Sequence, residues 1–76
     1  MTSRAFVLIE TGVGNSKAVA DVLRKLEGVD SADAVTGPYD VIAVIHRENL
    51  DEVGELITGN IHPVPGISRT VTCLAI

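Results

Sequence analysis

The turn Gly37-Pro38-Tyr39-Asp40 separates two strand-like runs, residues 29–36 and residues 41–45, and commits the middle of the chain to an antiparallel hairpin. The chemistry of the turn residues explains this. Gly37 can take the positive φ that a tight turn demands, and proline holds its own φ near about −65°. After the turn, Val41-Ile42-Ala43-Val44-Ile45 is an unbroken apolar run, too short for a typical helix and suited to a central strand covered on both faces. Before it, Asp30 and Asp33 interrupt the run. Charges of this kind mark an edge strand, where they discourage pairing with other chains.

The flanking segments complete the pattern. Residues 5–11 (AFVLIET) read as a first strand ending at the Gly12-Val13-Gly14 turn. Asn15 or Ser16 is expected to cap the next helix, in which Val19, Val22, Leu23 and Leu26 recur at i, i+3, i+4 and i+7. Gly28 is expected to stop that helix by taking a left-handed conformation. Asn49 with Glu52 three residues later resembles a capping box, and Asp51 and Glu52 suit the positive end of a helix dipole. Leu50, Val53 and Ile57 then form an apolar stripe. Gly54 and Gly59 weaken this second helix by about 1 kcal/mol each against Ala, and Pro63 and Pro65 end it. Residues 67–76 alternate, with Ile67, Arg69, Val71 and Cys73 on one side and Ser68, Thr70, Thr72, Leu74 and Ile76 on the other. The order strand, helix, strand, strand, helix, strand predicts an α+β, ferredoxin-like βαββαβ fold. Its four-stranded antiparallel sheet would run in the order four, one, three, two, with two helices on one face. Residues 1–76 then form a single domain, with no linker or low-complexity tract.

Length sets the next constraint. A 76-residue chain hides only about 60% of the surface its unfolded form exposes, so a lone core is marginal. The predicted fold also leaves one sheet face bare, while strands one and three carry apolar residues on both sides: Phe6 and Leu8 against Val7 and Ile9, Ile42 and Val44 against Ala43 and Ile45. A large exposed apolar sheet is rare on a monomer. A symmetric homodimer, packed sheet to sheet or sharing a strand, is the expected completion.

Composition excludes several partners. Apolar residues reach 46%, yet no run approaches the roughly 18 uninterrupted residues a membrane span needs. The net charge is −4 and the six basic residues are scattered, whereas phosphate backbones require basic groups gathered on one face. Direct nucleic-acid binding is therefore not expected. Between residues 48 and 68 there are four acids and no Lys or Arg, a pattern typical of a solvated helix surface. The single cysteine and the absence of a signal-peptide pattern point to a reducing cytoplasm.

Little catalytic chemistry is on offer. A thiol nucleophile at Cys73 would need His46 or His62 as a base, but strand one should separate Cys73 from His46, and a lone Cys in an apolar strand is usually a buried small hydrophobe. No metal is expected, because two histidines sixteen residues apart and one distant Cys lack zinc-ligand spacing. No cofactor is expected either. The turn Gly12-Val13-Gly14-Asn15-Ser16-Lys17 lacks the third glycine of a dinucleotide fingerprint and the ending of a P-loop. His62, beside Pro63, reads as an exposed loop residue and His46 as a strand-end residue with a satisfied ring.

The hairpin turn offers more. Asp40 can accept from an ammonium, while backbone N–H groups and threonine hydroxyls can donate to a carboxylate, so a zwitterionic ligand suits it. The alternative is an ordinary hairpin in which Asp40 caps local N–H groups and Tyr39 props a neighbouring loop.

Taken in order, the opening AFVLIET strand, the V-x-x-A-x-x-V-T-G-x-Y-D-V-I-A-V core from Val29 and the closing P-G-I-S-R-T-V-T-C-L strand from Pro65 resemble the Lrp/AsnC regulators. The likeness is to their C-terminal ligand-binding module, the RAM domain. It implies a dimeric α/β sandwich that assembles into octamers or similar rings, with amino-acid effectors bound between dimers near the hairpin turn. Gly37, Tyr39 and Asp40 match the family's turn motif, and Thr70 and Thr72 match polar positions of its last strand. These are the ligand-binding residues the resemblance implies. Full-length members begin with a helix-turn-helix, whereas this sequence starts at the first strand of the ligand module. A stand-alone form is thus expected, with full-length Lrp/AsnC regulators as partners.

The expected function is to bind a small molecule, an amino acid or similar metabolite, and to oligomerise in the regulation of amino-acid metabolism, without catalysis. One rival is a small dimeric α+β barrel enzyme with a pocket between helices and sheet, although the sequence lacks the convergent polar groups of an active site. The other is a protein-interaction module that only oligomerises through its bare sheet.

Overall fold

The computed structural model describes residues 2–76 and contains the elements β1 (Ser3–Thr11), α1 (Ser16–Arg24), β2 (Val29–Ala34), β3 (Val41–Arg47), α2 (Leu50–Leu56) and β4 (Ile67–Leu74). A π-helical turn, Ile57–Ile61, extends α2. The strands form one antiparallel sheet in the order β2-β3-β1-β4. This is the ferredoxin-like βαββαβ arrangement, with β1 and β3 central and β2 at one edge.

Strand alternation separates the side chains of β1 and β3 into two sets. Ala5, Val7, Ile9, Val41, Ala43 and Ile45 are fully buried against Val19, Ala20 and Leu23 of α1 and against Val53, Leu56, Ile57 and Ile61 of the second helical segment. The layer between helices and sheet holds no buried polar residue among those described. A barrel enzyme would keep its pocket in this layer, which is filled by packed hydrocarbon. On the other face, Phe6, Leu8, Ile42 and Val44 remain partly buried, and the Arg4 guanidinium lies 5.4 Å above the Phe6 ring. That distance allows a cation–π contact, in which the long Arg4 side chain shades part of an aromatic surface no helix covers.

Both helices depart from the sequence expectation in detail. The buried arc of α1 centres on Leu23, so it includes Ala20 and leaves Val22 40% exposed. Asn15 precedes α1 in a helical conformation and makes no side-chain cap bond. The helix ends at Arg24, and Gly28 takes the expected positive φ, +93°, in the turn that follows rather than directly at the helix end. In α2 the cap forms as expected: Asn49 Oδ1 accepts the Glu52 N–H at 2.9 Å, while Asn49 Nδ2 donates to Glu52 Oε2. Leu50, expected in the apolar stripe, is 57% exposed, and Ile61 takes a fully buried place instead.

One strand is also re-registered. A bulge between Glu10 and Thr11 sets Thr11 opposite Ile67, while Glu10 stays opposite Arg69. The extra residue turns Ile67 toward the core, where it packs on the buried cluster. Ile67 therefore does not share a face with Arg69, Val71 and Cys73. Before it, Gly66 has φ +99°, and a Cβ there would meet the Val19 side chain at 3.1 Å. Only glycine fits both conditions without strain. No helix among the described residues is long and apolar enough to cross a membrane.

Candidate functional site

The hairpin loop is fixed to the end of β1 by its own backbone and by one side chain. Val35 N–H donates to Asp40 O and Asp40 N–H to Ile9 O, each at 2.9 Å. Where β3 leaves the ladder, Asp40 Oδ2 accepts the Thr11 N–H at 2.8 Å. A side-chain carboxylate thus takes a strand N–H that backbone pairing no longer serves. Asp40 thus caps an N–H, but one 29 residues away on β1 rather than a local one of the turn, and the bond occupies one of the two carboxylate oxygens. A carboxylate offers about four acceptor positions, so Oδ1 retains capacity for a cation. Gly37 has φ +129°, and a Cβ there would project into open space, with no atom within 4 Å. The backbone conformation, rather than crowding, demands glycine at this position. Tyr39 is partly buried beside it.

Thr70 and Thr72 lie on β4, with the central strand β1 between them and the hairpin. Ile9 is paired with Val41 on one side and with Thr70 on the other. Strands are spaced about 4.8 Å apart, so the rows containing Val41 and Thr70 are separated by roughly 10 Å. Thr72, opposite Val7, is one step further from the hairpin end. The five sequence-derived residues therefore form two groups within one subunit: Gly37, Tyr39 and Asp40 on the hairpin, Thr70 and Thr72 on the outer strand.

The second group has a partner that sequence reasoning missed. His62 Nε2 is 2.9 Å from Thr70 Oγ1. His62 is exposed, as expected of a loop residue, but its ring is engaged. The signal was faint, since nothing in the sequence indicates a π-helical turn, and it is this wider turn, with His62 N–H donating to Ile57 O at 2.8 Å, that sets the imidazole beside β4. His62, Ile67, Ser68, Arg69 and Thr70 line a cleft of ≈ 300 Å³. Arg69, which alternates with Thr70 along β4, is paired with Glu10 at 3.2 Å on the opposite face of the sheet, and Ser68 Oγ donates to Glu10 O.

A larger, open cleft of ≈ 970 Å³ lies at the other end of the sheet, lined among others by Arg4, Asp30, His46, Asn49 and Leu50. There His46 Nδ1 stands 2.7 Å from Asp30 Oδ1, the satisfied ring expected of it. Cys73 is exposed rather than buried, because β4 is an edge strand whose outer face no element covers. It lies opposite Phe6, and β1 separates it from β3 and His46. Among the described residues, no group of three or more His, Cys, Asp or Glu side chains is placed to hold a metal ion.

Comparison with known proteins agrees with this geometry. Residues 4–76 match the family model described as the Lrp/AsnC ligand binding domain. An uncharacterized HTH-type transcriptional regulator of Pyrococcus furiosus is 31% identical over 75 residues, covering 93% of this chain and 49% of that protein. The chain thus spans about half the length of the curated relatives it matches. The crystal structure of a hypothetical protein from Pyrococcus horikoshii superposes with a TM-score of 0.91 at 33% identity, covering all of this chain and 90% of that one. A Neisseria meningitidis transcriptional regulator, solved as a complex with L-Met, shares the fold with a TM-score of 0.85 at 16% identity, over 97% of this chain and 49% of its own. A four-stranded sheet in this order, a hairpin anchored by Asp40 and a family match over nearly every residue lead to one conclusion: the chain belongs to the Lrp/AsnC ligand-binding domain family.

Proposed function

We propose that this domain binds an amino acid or similar small metabolite and self-assembles, as a non-catalytic sensing module in transcriptional regulation that works without a cofactor. The observation that carries the reading is the anchored hairpin, in which Asp40 holds the Thr11 N–H with one carboxylate oxygen and keeps acceptor capacity in the same turn as Gly37 and Tyr39. In this reading Asp40 receives the ligand's ammonium, the turn backbone at Gly37 and the hydroxyls of Thr70 and Thr72 meet its carboxylate, and Tyr39 walls the pocket. The two groups of residues are separated within a subunit, so the hairpin of one copy works with β4 of another. The partly buried Phe6, Leu8, Ile42 and Val44 support a homodimer closed through the bare sheet face, with larger rings built from dimers. The L-Met complex of the Neisseria relative supports an amino acid as the ligand class, and the HTH-type relatives support full-length regulators as partners, in the cytoplasm.

Calorimetric titration with the twenty amino acids tests the reading, using wild type and Asp40→Asn. The amide can still accept the Thr11 N–H but has lost its charge. We expect at least one amino acid to bind wild type, and to bind Asp40→Asn about tenfold or more weakly, the scale of a lost charged hydrogen bond. At 100 times its Kd, such a ligand should add about 2.7 kcal/mol of stability. Silence from all twenty in wild type would remove the sensing role.

A further inference from the structure

We propose that the outer edge of β4 is a second self-association surface, on which the β4 strands of two copies pair antiparallel about Thr72 and join their sheets into one. The proposal goes beyond the sensing role, since it needs no ligand.

The phase of the β1–β4 ladder carries the inference. Ala75 N–H donates to Arg4 O at 2.9 Å, so the backbone of Ala75 faces β1. Along a strand, the backbone groups of successive residues point to opposite sides. Cys73, opposite Phe6, and Val71, opposite Leu8, therefore face β1 as well, while the N–H and C=O groups of Thr70, Thr72 and Leu74 point away from it. The same alternation turns Ile9 toward β3, where its carbonyl accepts the Asp40 N–H. β4 is the last strand of the sheet, and Thr72, Cys73 and Leu74 are exposed. An open row of donors and acceptors of this kind is a template for another strand.

The two edges of the sheet differ. β2 is guarded by a bulge between Val29 and Ser31 and by the acids Asp30 and Asp33. β4 has no charged side chain from Thr70 to Leu74, and Arg69 before it is neutralised by Glu10 at 3.2 Å. Chains of net charge −4 repel one another, and this edge is where two of them meet without opposed acids.

The occupant is a second copy because the edge is self-complementary. A two-fold axis at Thr72 sets Thr72 against the partner's Thr72 and Thr70 against the partner's Leu74. No other antiparallel register matches the three outward-facing residues with one another. Threonine pairs across strands are favourable, half-exposed Leu74 gains a neighbour, and Arg69 falls opposite the partner's Ala75. Val71 and Cys73 lie beside Leu8 and Phe6 on the bare face, so the pairing extends that apolar face across two copies.

Oxidative crosslinking tests the register. Val71 stands opposite the partner's Cys73 as a non-hydrogen-bonded pair, with Cα atoms about 4.5 Å apart, within reach of a disulfide. On a non-reducing gel, Val71→Cys should form a covalent dimer at least about tenfold faster than wild type, whose two Cys73 residues sit on a diagonal about 7–8 Å apart. Sheets packed face to face lie about 10 Å apart, too far for this bond. Leu74→Pro removes an outward N–H and no bond to β1, so in the Val71→Cys background it should keep the far-ultraviolet circular dichroism and suppress the crosslink. Leu8→Glu in the same background should weaken association through the bare face and keep the crosslink. The proposal is overturned by Val71→Cys chains that stay monomeric, by equally fast crosslinking of wild type, by an undiminished rate with Leu74→Pro, or by loss of the crosslink with Leu8→Glu. The comparison of Val71→Cys with wild type decides even if Leu74→Pro fails to fold. Silence toward all amino acids would leave the edge pairing standing and remove only the sensing role.

Discussion

On the helix side of the sheet, Ala5, Val7, Ile9, Val41, Ala43 and Ile45 are completely buried, whereas on the opposite side Phe6, Leu8, Ile42 and Val44 of the same two strands are only partly covered. The residue types on the two faces are nearly interchangeable. What differs is the covering layer: two helices on one face, and on the other only the neighbouring side chains of the sheet, including Arg4 above Phe6. The inner face belongs to the stability of the folded subunit. The outer face carries the same free energy of transfer from water, about 25 cal/mol per Å² of apolar surface, in a form that a second molecule can collect.

Truncation on the inner face gives the largest expected effect. Ile9→Ala or Leu23→Ala removes fully buried methyl groups and leaves a cavity, so urea denaturation should show a loss of about 2–5 kcal/mol. A change below about 1 kcal/mol, nearer the scale of a surface substitution, would show that the helix layer is not the core of the subunit. Next comes the outer face, where Leu8→Glu should leave far-ultraviolet circular dichroism intact but weaken self-association by about 2 kcal/mol or more, about 30-fold, in sedimentation equilibrium. Unaltered association by this variant would separate the outer face from assembly and end the comparison. The smallest effect belongs to the sheet rim, where the exposed Arg69–Glu10 pair should contribute less than about 1 kcal/mol. Glu10→Gln measured by thermal melting checks it, and a larger loss would show that the rim is buried in an assembly.

The sequence exposed the framework because the framework rests on short-range chemistry. The apolar run of 41–45, the polar turn before it and the Asn49–Glu52 cap each read correctly, the last in the observed Asn49 Oδ1 to Glu52 N–H bond. Misreadings occurred where a distant contact chose between local options. Val22 and Leu50 have helical spacing compatible with the core, but the angle at which each helix meets the sheet turned them outward and drew in Ala20 and Ile61. Ile67 changed face because a bulge added one residue to the ladder, and a two-residue period inverts on any such insertion. Asp40 was recognisable as an acceptor in the turn, but that it accepts from Thr11, 29 residues away, depends on β1 passing beside the hairpin.

By itself the sequence determined the order of elements, the central place of VIAVI and the apolar character of both sheet faces, which follow from periodicity and turn chemistry along contiguous residues, while the family came from the resemblance of its ordered motifs. Only the tertiary structure decided which apolar face the subunit covers, that Asp40 accepts the Thr11 N–H, and that His62 meets Thr70. Such relations depend on bonds between residues distant in the chain, and no local pattern records which partner an open donor or a bare face will find.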